Sequence, residues 1–356
     1  MRTFAASSIA FSLAASLVSV ASLDACGGSV NGVLSDGAVG DGGGDLPEAS
    51  RDAGPPPGEP LSLFGAYAVK TIFLGETDRT NTPVKDAWKS YGENLDGLVT
   101  GKTDTNVCKR QAGADAAKQE DGIGGIDNSF GRTVLGFIGG IAPAPSKSLN
   151  EAIAKGDQTP MLNLLPAEGP LSTRFGLLSA APTNMAMPPL FDGTDVRAAG
   201  KSSVGSGPED ALSISTTPSM NGRRVASGIA SGTFFLTLPL QGTAWRIPIR
   251  HARVTMTISD DGLRATTGTI SGISPTEELV DSLAKVAGRI SSQLCAGSTL
   301  DTIKQTLRQA SDIPVDGPQD PSKACDGISI GIGFEAVKVT ASGVAPDGDT
   351  GVDPCQ

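Results

Sequence analysis

The sequence predicts a mainly β domain with helical insertions (α+β), an antiparallel, sandwich-like unit that follows a disordered tether. Three observations carry this. Ile328, Ile330, Ile332 and Phe334 alternate with Ser329, Gly331 and Gly333, and Ala252, Val254, Met256 and Ile258 alternate with Arg253, Thr255 and Thr257; a period of two places every second side chain on one face of a sheet. The turn signals Asn221-Gly222 and Asp260-Asp261-Gly262 punctuate such segments, as hairpins require. Apolar residues at helical spacing occur only in isolated stretches.

Taken in order, the chain starts with Arg2 and an apolar stretch from Phe4 to Val20, too short to read as a spanning helix and proportioned like an export signal. Residues 1–25 are therefore expected to be a lipoprotein signal peptide. Leu23-Asp24-Ala25-Cys26-Gly27-Gly28 resembles a bacterial lipobox, in which the cysteine becomes the lipidated amino terminus; Asp24 departs from the small uncharged residue usual there. Cleavage after Ala21 or Ala25, giving a freely secreted chain, is the alternative.

Residues 26–60 are rich in Gly, Asp and Pro and contain six acids against the single base Arg51. Such a segment cannot bury enough apolar surface to offset its ordering entropy, so it is expected to be a disordered tether. Much of the net charge of −10 resides here and in the tail, and the body from 61 onward is nearly neutral. That balance offers no basic face for nucleic acid, and one histidine precludes a multi-histidine metal centre.

The expected domain covers 61–356. Strand-like segments fall at 61–74, 159–165, 173–180, 210–216, 223–229, 232–240, 244–250, 252–258, 263–273 and 328–334, and Gly222 to Ser274 is expected to form an antiparallel meander with one dry face. Helices are expected near 146–156, 275–295 and 299–311. Ser274-Pro275-Thr276-Glu277 has the form of a capping box, followed by the stripe Leu279, Leu283, Val286, Ile290 and Leu294; Ser298 with Asp301 opens the next helix, with Leu300, Ile303 and Leu307 on one side.

Five cysteines are present. An exported chain meets oxidising conditions, where thiols pair. With Cys26 lipidated, Cys108, Cys295, Cys325 and Cys355 form an even set allowing three connectivities; the pairs expected are Cys295–Cys325 and Cys108–Cys355.

Candidate chemistry centres on Glu120-Asp121-Gly122-Ile123-Gly124-Gly125-Ile126-Asp127-Asn128-Ser129-Phe130-Gly131. Oxygen-bearing side chains separated by glycines suit Ca²⁺, because a hard cation takes many oxygens and glycine lets carbonyls turn inward. The spacing is not that of the twelve-residue helix-loop-helix site, and an Asx-rich loop bonded to its own amides is the competing reading. A composite Ca²⁺ site is expected from Asp121, Asp127 and Asn128, joined by Asp349 or Asp353 of the acidic tail if Cys355 meets Cys108.

Other look-alikes fail. Thr100-Gly101-Lys102-Thr103 has its upstream glycine one residue out of register for a phosphate loop. Ser282-Leu283-Ala284-Lys285 matches S-x-x-K, but no K-T-G follows and Leu283 belongs to a core stripe. Asp349-Thr350-Gly351 lacks the apolar flanks of an aspartic protease. His251, the only imidazole, lies between Arg250 and Arg253 with no G-x-S-x-G elbow to supply a nucleophile. No catalytic residue is assigned. Trp88 and Tyr91 form a small aromatic pair, with packing as the plainer role.

With LDACGG, the Gly/Asp tether, GIDNSFG, RQASDI (308–313) and CDGISIGIGFEA (325–336) in view, the chain resembles a group of myxobacterial lipoproteins with no assigned activity. The resemblance implies location and architecture, not a reaction. The expectation is a lipid-anchored cell-envelope protein, exported to the outer membrane, that acts as a non-enzymatic binding or structural domain toward an envelope protein, a glycan or Ca²⁺. The alternative is a carboxylate-dependent cell-envelope hydrolase.

Overall fold

The structure is a computed structural model that describes residues 63–166, 173–184, 187–240, 243–348 and 355. Among the described residues, eleven strands occur in the order β1 (Gly65–Phe73), β2 (Thr159–Pro166), β3 (Thr173–Ala180), β4 (Val196–Gly200), β5 (Ser213–Ser215), β6 (Ser219–Asn221), β7 (Arg224–Ala226), β8 (Thr233–Leu240), β9 (Thr243–Ile258), β10 (Arg264–Pro275) and β11 (Gly327–Ala345). The helices are α1 (Leu135–Ile141), α2 (Pro145–Ala154), α3 (Thr276–Ile290) and α4 (Ser298–Gln309). The fold is mainly β, as the alternation requires. The signal segment, Cys26, the tether, Asp349 and Asp353 lie outside the described residues.

All strands join one mixed sheet, ordered β1-β2-β3-β4-β11-β10-β9-β7-β6, with β5 on β3 and β8 on β9. Because β1 also pairs with β11, the run β1-β2-β3-β4-β11 closes on itself. The pairing is antiparallel except for β4 with β11. The expected meander holds for β8, β9 and β10, which pair antiparallel in succession, whereas β7 skips β8 and pairs with the second half of β9. Strand β9 is continuous for 16 residues and is kinked at His251, whose φ of 51° marks a register shift against β10. A bulge inserts one residue and bends the strand, so the two segments read from the sequence are one strand.

The alternating residues form the main core. Ile328, Ile330, Ile332 and Phe334 are buried with Val254, Met256 and Ile258, and the stripes of α3 (Leu279, Leu283, Val286) and α4 (Leu300, Ile303, Leu307) close over them. Trp245 is buried in the same core, and its Nε1 donates to Ser282 Oγ at 2.9 Å; the serine of S-x-x-K thus serves packing.

The capping box at α3 does not form. Ser274 remains in the β10–β11 ladder opposite Ile328, and Pro275 pairs with Gly327. The first helical N–H, that of Thr276, instead donates to Asp326 O at 2.9 Å. Continuation of the strand overrides the local cap, because the Ser274 side chain is buried in the sheet and cannot turn back to the helix.

Strand β11 runs against the 3-10 turn Ala87–Ser90 and the residues that follow it. A Cβ on Gly331 would lie 2.2 Å from Tyr91 O and 2.7 Å from Gly92 Cα. Since overpacking a rigid contact displaces backbone, Gly331→Ala is expected to destabilise the domain by about 3 kcal/mol, read as a lowered midpoint in thermal unfolding. An unchanged midpoint would contradict this contact.

The same four cysteines pair, with partners exchanged from the expectation: Cys108 bonds Cys325 and Cys295 bonds Cys355. Helix α3 starts beside Asp326 and runs 15 residues away from it, roughly 22 Å at 1.5 Å per residue. Cys295 follows the far end of this helix, out of disulfide reach of Cys325. The loop carrying Cys108 comes to Cys325 instead: Lys109 N donates to Lys323 O at 2.8 Å, and Cys325 N to Lys109 O at 2.9 Å.

Candidate functional site

The segment from Tyr91 to Ser129 is a long connection with little regular structure, crossing the start of β11. Its backbone N–H groups have few ladder partners, so side-chain oxygens must satisfy them. Asp127, buried, accepts from Leu95 N at 2.6 Å and from Asp96 N at 3.4 Å. Asp121 accepts from Thr100 N at 2.5 Å, and Asp121 N returns a bond to Thr100 O. Gly124 and Gly125 have φ of 69° and 87°, which lets the chain reverse between these two anchors.

Asn128 holds this loop to the sheet. Its amide nitrogen donates to Trp88 O, Tyr91 O and Gly331 O at 3.2, 3.0 and 2.8 Å. Its oxygen accepts from Gly131 N and Gly331 N at 2.9 and 3.1 Å. Next to it, Ser129 Oγ donates to Ala310 O at 2.6 Å, and Ser129 N to Ser329 Oγ at 2.8 Å. Ser329 in turn donates from N and Oγ to the buried carboxylate of Asp312 at 2.9 and 2.5 Å. Gln319 joins the set, its Nε2 donating to Asp96 Oδ2 and Asp312 O, while its Oε1 accepts from Cys108 N.

Asp96, Asp121, Asp127 and Asp312 are thereby gathered about the Cys108–Cys325 bridge, with Arg132 as the neighbouring cation. Burial penalises the charged forms of Asp121, Asp127 and Asp312. It pushes Asp121 up to about 6, against the help of the Thr100 N–H; Asp96 adds to the rise. Burial, then Asp96, Asp312 and Asp121, push Asp127 up to about 9. Asp312 rises to about 7 because burial outweighs its bonds to Ser329 and the charge of Arg132.

Arg132 comes from a π-helical turn, Phe130–Val134. Its guanidinium donates to Glu120 O and Lys118 O and stands over the Trp88 ring at 5.2 Å. On its other side is an open cleft of about 440 Å³, lined by Trp88, Arg132, Lys85, Glu76, Gly136 and Gly139 among others. The only acid there among the described residues, Glu76, is engaged by Ser146 N and Oγ at 2.6 and 2.8 Å, which ties down the first turn of α2.

Of the residues expected to bind Ca²⁺, Asp121, Asp127 and Asn128 are thus neighbours in space, but each has another task, while Asp349 and Asp353 lie outside the described residues and Cys355, which was to bring them here, bonds Cys295 instead of Cys108. The Asn128 amide is consumed by backbone groups, and the Asp127 and Asp121 carboxyls each hold N–H groups of the facing loop. Among the described residues, no group of three or more His, Cys, Asp or Glu side chains is arranged to hold a metal ion. The pair Trp88 and Tyr91 is buried: Tyr91 stacks on Phe73 with ring centroids 6.1 Å apart, and its hydroxyl donates to Thr77 O.

Asp96, Arg132 and Asp312 do not stand out in the sequence. The one signal for Asp312 is its setting, an acid between Ala310-Ser311 and Ile313, where a lone charge in an apolar stretch needs a buried partner.

Comparison with known proteins found no matching family model, no similar curated protein and no similar solved structure.

Proposed function

We propose that the chain is an exported, lipid-anchored cell-envelope protein whose folded domain binds an envelope partner and performs no chemistry of its own. The observation that carries this reading is the cysteine pairing. Cys108, Cys325, Cys295 and Cys355 satisfy one another, which leaves Cys26, inside the lipobox-like LDACGG, as the unpaired thiol. Disulfides persist outside the cytosol, and an acylated cysteine would account for the odd one. Among the described residues, no helix is long and apolar enough to cross a membrane.

Binding is favoured over hydrolysis by where the acids sit. Carboxylate-dependent glycoside cleavage needs two acids flanking the scissile bond. Here Asp127 and Asp312 are enclosed and accept hydrogen bonds from the domain itself, while the cleft beside Arg132 presents one acid among its lining residues, Glu76, which Ser146 already engages.

Metabolic labelling with radioactive palmitate tests the anchor. The intact chain is expected to take up label and sediment with membranes, and Cys26→Ser to lose both while still folding. Undiminished label in Cys26→Ser, or a wild-type chain that stays unlabelled, would refute the lipid anchor.

A further inference from the structure

We propose that the cleft beside Arg132 is a carboxylate-binding site that takes an acidic peptide segment; this names the ligand of the envelope-binding domain inferred above and rests on that reading. The cleft, of about 440 Å³, is bordered by the 3-10 turn Ala87–Ser90, the π-helical turn, α1 and the start of α2, and its volume is that of a small-ligand site. Trp88 lines it and is only 5% exposed. The side chain is fixed by close packing: a Cβ on Gly75 would lie 3.0 Å, and one on Gly131 2.7 Å, from Trp88 Cβ. Its Nε1–H nevertheless donates to no group among the described residues, whereas the other buried indole, that of Trp245, bonds Ser282. A buried indole N–H ordinarily finds an acceptor. The cleft is short of one.

The charges call for the same kind of partner. Two cations line the cleft, Lys85 and Arg132, against one acid, Glu76. Both Glu76 oxygens are taken by Ser146 in the first turn of α2, where the helix end favours a negative charge. The neighbouring carboxylates have cations of their own: Asp86 pairs with Lys89 at 3.7 Å and Glu120 with Lys102 at 3.6 Å. Lys85 and Arg132 form no ion pair among the described residues. Of the other acids acting on Arg132, Asp121, Asp127 and Asp312 are held toward their protonated forms by burial, and Lys118 adds a further cation beside it.

Gly136 and Gly139 of α1 also line the cleft, and a Cβ on either would meet nothing within 4 Å. Glycine weakens a helix relative to alanine, and no contact within the domain calls for it at these two positions. Three residues apart, they lie on one helix face and open a shelf on which another backbone can lie close. Pro83, Val84, Leu135 and Pro145 add apolar lining.

Unspent donors, a surplus of one positive charge, a backbone-width shelf and apolar walls together suit a singly charged carboxylate carried on a peptide. Inorganic phosphate fits less well. Both Nη atoms of Arg132 are committed to the carbonyls of Glu120 and Lys118, so no guanidinium fork is left to grip a doubly charged group, and the apolar walls have nothing to cover.

The test follows the two indole N–H resonances of the full chain labelled with ¹⁵N-tryptophan, at about pH 5.5, where peptide carboxylates are ionised and Asp121, Asp127 and Asp312 keep their protons. With the tripeptide alanyl-glutamyl-alanine, blocked at both termini, the Trp88 signal is expected to move saturably while that of Trp245, held by Ser282, stays. The glutaminyl analogue is expected to bind about tenfold more weakly, and Lys85→Gln to weaken the acidic peptide about fivefold. Gly139→Leu, which fills the cleft from a position with open space around it, is expected to abolish binding without lowering the thermal midpoint. N-acetyl-trialanine with a free carboxy terminus separates a terminal carboxylate from a side-chain one, and movement of the Trp88 signal with either peptide supports the proposal. A Trp88 signal unmoved by both, equal binding of the glutaminyl analogue, full binding by folded Gly139→Leu, or tighter binding of inorganic phosphate would overturn it. The palmitate experiment reads the anchor alone, so its failure and that of the cleft are told apart.

Discussion

Removing the Cys108–Cys325 bridge with the paired changes Cys108→Ala and Cys325→Ala is expected to lower the unfolding free energy by about 5 kcal/mol. The bridge joins positions 217 residues apart, and a cross-link closing so long a loop restricts the unfolded chain strongly. It also fixes the connection from Tyr91 to Ser129 onto β11, where Gln119 donates to Cys108 O at 2.7 Å and Gln319 accepts from Cys108 N. Guanidinium unfolding of the variant beside the parent measures the loss. A change below about 1 kcal/mol, well under the range such bridges usually contribute, would show that this bridge does not constrain the chain. Non-reducing peptide mapping gives a second readout, since the exchanged pairs Cys295–Cys325 and Cys108–Cys355 would yield different linked peptides.

The second large effect is a fall in stability as pH rises from mildly acidic to alkaline. In the native state Asp121, Asp312 and Asp127 keep their protons up to about pH 6, 7 and 9, whereas an ordinary aspartate releases its proton near 3.8. Above pH 4 the native state therefore binds more protons than the unfolded state, and unfolding free energy decreases with pH. The stabilisation is complete below the unfolded value and is lost stepwise as each native value is passed. Exposed carboxylates such as Asp78, Asp192, Asp261 and Asp320 are held below their usual range by neighbouring hydroxyls, which adds a shallow loss only in stronger acid. Maximal stability is expected near pH 4–5, with a progressive decline toward pH 9.

Asp127→Asn isolates the largest contributor. Its amide oxygen can still accept from Leu95 N while carrying no charge, so the variant is expected to match the parent at pH 5 and exceed it at pH 9. Equilibrium unfolding across this range checks the slope. A parent whose stability rises between pH 5 and 9 would contradict a buried, protonated cluster.

How much of this was legible depends on the range of the interaction concerned. Ile328, Ile330, Ile332 and Phe334 declared their strand, and Leu279, Leu283 and Val286 their helix face, because side-chain period follows from backbone geometry within a few residues. Ser274 misled for the complementary reason: its local capping pattern was sound, but β10 continued through it to pair with β11. Asp121, Asp127 and Asn128 are legible as a cluster of oxygen-bearing side chains, but the choice between a cation site and an Asx-rich loop bonded to backbone amides is not, since Asp312 and Gly331 reach them from segments far away in the chain.

From residue order alone came the β-rich class, the helical stripes and the count of cysteines that leaves one over; each follows from periodicity, parity or composition. Folding settled which cysteine meets which, turned Trp88 and Tyr91 inward, and converted Asp127 and Asn128 from candidate cation ligands into acceptors and donors for the backbone. Those outcomes depend on through-space distance and on the loss of water around a group, and neither quantity exists until β11 brings the Tyr91–Ser129 connection, the end of α4 and Cys325 to one place.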